Sequence, residues 1–142
     1  KITGRTKHFI NVFGEELVVE NAEKALSLTS ELTKSSISDY TVGPVFMGSK
    51  TKGSHEWLIE FDKHPDDLNK FMEILDLNLQ SLNSDYEAKR YKSSTLELPK
   101  LVVARKNLFY DWLSSKNKLG GQNKIPRLSN SREFIEELIS MN

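Results

Sequence analysis

One stretch near the C-terminus concentrates residues that can do chemistry: Gly120-Gly121-Gln122-Asn123-Lys124-Ile125-Pro126-Arg127-Leu128. The glycine pair predicts a mobile loop, and Pro126 stiffens the chain just past the lysine. A lysine carried in this way can swing to a phosphate or a carboxylate and deliver a compact positive charge. The same spacing also suits an ordinary solvated loop lysine. Taken alone, the spacing leaves both readings open.

Two other constellations are weaker. Gly43-Pro44-Val45-Phe46-Met47-Gly48-Ser49-Lys50-Thr51 is a near miss to a phosphate-binding loop, with Ser49 inserted between the second glycine and the lysine. That chemistry needs consecutive amides wrapped on phosphate and then a helix start. Here strand-like residues surround the stretch, so it is expected to be a hairpin loop. His8, His55 and His64 match no helix-face metal pair, and no cysteine completes a ligand set. His55-Glu56 lacks the second histidine of a zinc-protease pattern, and His64 beside Pro65 suits a helix cap. No metal site is expected. A Gly-x-Ser-x-Gly nucleophile motif is also missing.

Composition narrows the partners. Twenty Lys and Arg balance 20 Asp and Glu, so no basic surplus is available for nucleic acid. With 37% hydrophobic and 28% charged residues, the balance is that of a globular chain, and 142 residues suit one domain. The longest apolar run, Leu101-Val102-Val103-Ala104, is far too short to cross a bilayer. A cytoplasmic protein, binding neither nucleic acid nor membrane, is the expectation. The first residues, Lys1-Ile2-Thr3-Gly4-Arg5-Thr6, carry no initiator methionine and no signal pattern, so residues 1–142 read as one domain of a longer polypeptide.

The elements that must hold these groups follow from periodicity. Residues 7–14 read as a strand or hairpin arm, and Asn21–Lys34 as a helix with Ala22, Ala25, Leu26, Thr29 and Leu32 inward. Asp39–Met47 and Ser54–Phe61 read as an antiparallel hairpin around the loop 48–53, with Trp57, Ile59 and Phe61 on one face. A helix is predicted from Pro65 to Leu82, with Leu68, Phe71, Met72, Leu75, Leu79 and Leu82 as its apolar stripe. Leu98–Ala104 reads as a third strand. Leu108–Lys118 reads as a helix ended by Gly120-Gly121. Asn130 with Glu133 reads as a capping box opening a last helix. The expected class is α+β: a small, mainly antiparallel sheet with helices packed on it.

Several segments resemble a known family. Gly4-Arg5 with Gly14 and Glu15, and Asn123-Lys124-Ile125-Pro126-Arg127, resemble the two ends of the small mobile C-terminal domain of adenylate-forming enzymes. Within that superfamily the chain is most similar to the auxin-responsive acyl-acid amido synthetases. Leu82-Asn83-Ser84-Asp85-Tyr86-Glu87-Ala88-Lys89-Arg90 resembles their Asn-Ser-x-Tyr-x-x-x-Arg segment. Gln122-Asn123-Lys124-Ile125-Pro126-Arg127 resembles Gln-Tyr-Lys-x-Pro-Arg, and His55-Glu56-Trp57-Leu58-Ile59-Glu60-Phe61 resembles a His-Tyr-x-x-x-Trp-Glu strand. The opening stretch from Gly4 to Glu16 looks more like the bacterial branch. Asn123 stands where luciferase-type enzymes have glycine, a departure the amido synthetases share.

The resemblance implies an ATP-dependent ligase that adenylates a carboxylic acid and passes the acyl group to an amino acid. It implies ATP and Mg²⁺ bound mainly by an N-terminal domain, with which this domain would work. Lys124 is implied as the catalytic lysine. Arg5, beside a hinge, is implied to contact the adenylate or steady the hinge, and Arg127 is the other candidate nucleotide-binding position. Glu15, Tyr86 and Arg90 are matched positions whose alternatives are packing and structural ion pairs. Competing expectations are the C-terminal domain of a phenylacetate-type acyl-CoA synthetase, and a non-catalytic α+β binding or regulatory module.

Overall fold

A computed structural model describes residues 9–47, 49–91, 95–115 and 125–142. Its centre is a three-stranded sheet ordered β3-β4-β5, built from β3 (Ser36–Met47), β4 (Ser49–Lys63) and β5 (Lys100–Val103). β3 and β4 form the expected antiparallel hairpin, but pairing runs from Ser36 opposite Lys63 to Met47 opposite Ser49, so residues 49–53, expected in the loop, belong to β4. β5 joins β4 in parallel, Glu56 opposite Lys100 through Ile59 opposite Val103. A separate two-stranded ribbon pairs β1 (Phe9–Ile10) with β2 (Leu17–Val18).

From Gly53 to Phe61 β4 is buried or half-buried on both faces, which is why its charged residues there, Glu56 and Glu60, are each engaged by partners, Arg132 and the Asn107 N–H. Its alternation sends Trp57, Ile59 and Phe61 to one side with Tyr40 and Val42 of β3. There they meet α1 (Val19–Thr33) and α2 (Leu68–Leu82) through Ala22, Leu26, Phe71, Leu75 and Leu79. Leu58 faces the other way, onto α4 (Leu108–Ser115) and α5 (Glu133–Met141), with Phe109, Trp112, Ile135 and Leu138. Two helical layers therefore sandwich the sheet, and each burial of a large apolar side chain contributes roughly 1.5–3 kcal/mol. The expected α+β class, the hairpin and the face shared by Trp57, Ile59 and Phe61 are all present.

The boundaries differ where start signals compete. α2 begins at Leu68 rather than Pro65, because the Asp67 side chain accepts from the Lys70 N–H at 3.1 Å and caps the helix there. Asn130 does not open the last helix: its N-cap position is Arg132. Leu32, expected inward, is 67% exposed; it lies in the last turn of α1 on an open cleft that Lys70 and Ile74 of α2 also line. A short helix not anticipated, α3 (Ser84–Arg90), follows α2 directly, capped by Asn83 accepting from the Tyr86 N–H at 2.8 Å. Glu60, buried on β4, accepts from the Asn107 N–H at 2.9 Å and so caps α4 from the sheet. The C-terminal end of the expected 108–118 helix and the Gly120-Gly121 stop lie outside the described residues. No described helix is long and apolar enough to cross a membrane.

Candidate functional site

From Ile125 onward the chain is fixed residue by residue. Ile125 is buried among α4 and α5. The Pro126 carbonyl accepts from the Thr41 hydroxyl at 2.7 Å, and the Arg127 carbonyl accepts from the Val42 N–H at 2.8 Å. Leu128 is fully buried and bridges Val42 in parallel, and the Ser129 N–H donates to the Val42 carbonyl at 3.2 Å. Residues 126–129 thus close the edge of β3 that β4 leaves open. Lys124, joined covalently to Ile125, lies outside the described residues, as does Arg5.

Arg127 sits within this segment. One terminal nitrogen donates to the Asp39 carboxylate and, at 2.9 Å, to the Tyr40 carbonyl. The guanidinium also stacks over the Tyr40 ring, 4.8 Å from its centroid. Tyr40 in turn donates its hydroxyl to Glu23 at 2.5 Å. Burial, reinforced by the Glu23 bond, pushes the Tyr40 phenol well above its usual range. Together Glu23, Asp39, Tyr40 and Arg127 line a cavity of about 360 Å³ whose remaining wall is largely serine. In this geometry Arg127 bridges β3 to the segment after Lys124.

The ribbon β1–β2 is held from three directions. Glu15, fully buried, accepts from the Phe13 N–H at 2.7 Å with one oxygen. Its other oxygen lies 2.6 Å from His55 Nε2, making a buried pair between the ribbon and β4. The Asn83 amide donates to the Glu16 carbonyl at 3.0 Å. Asn130, from the far end of the chain, accepts from the Asn11 N–H at 2.7 Å and donates to the Phe9 carbonyl at 3.3 Å. His55 is therefore a partner of a carboxylate. Among the described residues no cluster of three His, Asp or Glu side chains could hold a metal ion.

Tyr86 and Arg90 converge on Asp76, a buried acid of α2. The Tyr86 hydroxyl donates to one oxygen at 2.6 Å, and Arg90 donates to both oxygens at 2.8 Å. Gln80 adds a bond at 2.9 Å, and Arg90 also reaches the Leu96 carbonyl at 3.1 Å. Burial, with the negative Asp76 beside it, raises the Tyr86 phenol well above its usual range. The Asp76 hydrogen bond raises the Arg90 guanidinium. Arg90 thus makes an ion pair and Tyr86 a buried hydrogen bond to Asp76, and together they tie α3 to α2. The sequence sign of this site is Asp76 itself, an acid between Leu75 and Leu79 on an apolar helix face, where a charge needs a buried partner.

No curated protein matches the chain. Among solved structures it is similar to the acyl acid amido synthetase AtGH3.15 in complex with 2,4-DB, with a TM-score of 0.70 and 16% sequence identity over 94% of this chain and 25% of that one. A second structure, of the GH3.15 acyl acid amido synthetase, matches with a TM-score of 0.71 and 16% identity, over 94% of this chain and 24% of that one. At that identity the likeness shows a shared fold, and the chain spans about a quarter of the proteins it matches. A sequence profile of the GH3 family C-terminal domain matches residues 19–133, most of the chain, which therefore belongs to the GH3 family as its C-terminal domain.

Proposed function

We propose that this chain is the C-terminal domain of an ATP-dependent acyl-acid amido synthetase acting in the cytoplasm. In the first step a substrate carboxylate oxygen attacks the α-phosphorus of ATP. An acyl–phosphate bond forms, and the bond from that phosphorus to pyrophosphate breaks. In the second, the nitrogen of an amino acid attacks the acyl carbon, AMP leaves, and the amine gives up a proton as the amide forms. Charge gathers around the α-phosphate in the first step, and a preorganised cation there lowers the barrier. Lys124 is assigned that task. Mg²⁺, which neutralises phosphate charge, is assigned to the nucleotide and to residues outside this chain.

The observation supporting this reading is the rigid base beside the lysine. Ile125 is buried and the next carbonyls are bonded to Thr41 and Val42, so the chain on one side of Lys124 is fixed to the sheet. Positioning of this kind is a large part of catalysis between two bound reactants. The test compares residues 1–142 alone with the full-length protein, following pyrophosphate release from ATP with a panel of aryl and indole acids. Full-length turnover that depends on both an acid and an amino acid, with a silent isolated domain, is expected. Robust turnover by residues 1–142 alone, or none by the full-length protein, would overturn the reading.

A further inference from the structure

We propose that Asn130 is a positioning residue that couples the N-terminal ribbon to residues 125–129, the segment that directly follows Lys124 in sequence. The proposal rests on the role assigned to Lys124 above. The Asn130 side chain spans 121 positions of sequence to reach the Phe9 carbonyl, while also accepting from the Asn11 N–H. In an extended strand the carbonyl of one residue and the N–H two residues on point the same way. One side-chain amide can therefore engage both, as a neighbouring strand would.

On its other side Asn130 follows directly on the fixed segment. The Ser129 N–H and the Arg127 carbonyl bracket Val42 on β3, and Arg127 ties to Asp39 and Tyr40. Asn130 thus adds a direct side-chain link from β1 to the segment 125–129, beside the shared core that holds Ile10 and Leu128. Arg5 lies four residues before Phe9, and Lys124 immediately precedes Ile125. Among the described residues, Asn130 is a polar contact through which the two matched ends of the domain meet. It is exposed, so it buries little apolar surface, and its bonds constrain position more than they support the core.

The experiment uses the full-length protein with Asn130→Ala and Asn130→Asp. Amide hydrogen exchange is read over residues 9–11 and 125–129, beside separate assays of adenylation and of aminolysis from a supplied synthetic acyl-adenylate. Asn130→Ala is expected to raise exchange in both segments and leave the global melting temperature near wild type. Adenylation should fall by about tenfold or more, as small displacements of a reacting group can cost, while aminolysis is spared. Asn130→Asp keeps the acceptor for the Asn11 N–H and should fall between Ala and wild type, which also decides the matter if the alanine variant does not fold. Wild-type exchange at 125–129, wild-type adenylation despite raised exchange, or equal losses in both half-reactions would each overturn the proposal. A normal adenylation rate in Lys124→Ala would instead overturn the role of the lysine, and the exchange measurement would still decide the coupling.

Discussion

Tyr86 donates its hydroxyl to Asp76 at 2.6 Å inside the layer between α2 and α3, where neither side chain meets solvent. The bond matters because Arg90 holds the same carboxylate bidentately, so two side chains depend on one acid. Removing Asp76 would take the carboxylate from a largely buried guanidinium and the acceptor from the buried Tyr86 phenol. Breaking a buried pair from one side typically costs about 3–5 kcal/mol. Asp76→Ala is therefore expected to lose stability on that scale in denaturant titration. Asp76→Asn should lose less, since its amide retains one acceptor oxygen. A loss within the range of an ordinary surface substitution would show that the triad contributes little.

Alkaline stability tests the same site from the proton side. The Tyr86 and Tyr40 phenols are both raised above the ordinary value of 10.0, chiefly by burial and next by their acidic neighbours. A raised folded pKa means that the unfolded chain releases its proton first as pH climbs. The stabilisation is complete below about pH 10 and declines above it, by up to roughly 1.4 kcal/mol per pH unit for each such tyrosine. Unfolding free energies measured from pH 8 to 11.5 should show this decline beginning near pH 10. The double variant Tyr40→Phe/Tyr86→Phe should flatten it. An unchanged slope in that variant would mean that other groups carry the alkaline transition.

The sequence made the sheet and its helices legible because their residues obey simple periods. Trp57, Ile59 and Phe61 alternate, and Phe71, Leu75 and Leu79 recur at helical spacing. Ends were harder. Pro65 and Asp67 are both good start signals, and only the bond from Lys70 N–H to Asp67 decides between them. Asn130 failed as a cap because a tertiary partner, the ribbon at Phe9 and Asn11, claimed its amide. Long-range pairings such as Glu15 with His55 leave no local pattern at all. The segment around Lys124 was legible as candidate chemistry, but its anchoring on β3 depends on the bonds to Thr41 and Val42 that only folding brings together.

The sharpest prediction concerns Lys124 in the full-length protein. If the lysine meets charge developing on the carboxylate and the α-phosphate, its loss should injure adenylation far more than aminolysis. Removing one preorganised charge-stabilising donor typically costs roughly 10²–10³-fold in rate. Lys124→Ala should slow acyl-adenylate formation by about that factor, with the melting temperature held near wild type. Lys124→Arg should recover only part of the rate, since a planar guanidinium does not reproduce a compact ammonium. Amide formation from a supplied synthetic acyl-adenylate should be much less affected, because that step begins after the pyrophosphate charge has left. The measurement is single-turnover kinetics of each half-reaction for wild type and both variants. Equal losses in the two half-reactions would assign Lys124 to the fold or to domain closure, and wild-type adenylation would make it an ordinary loop lysine.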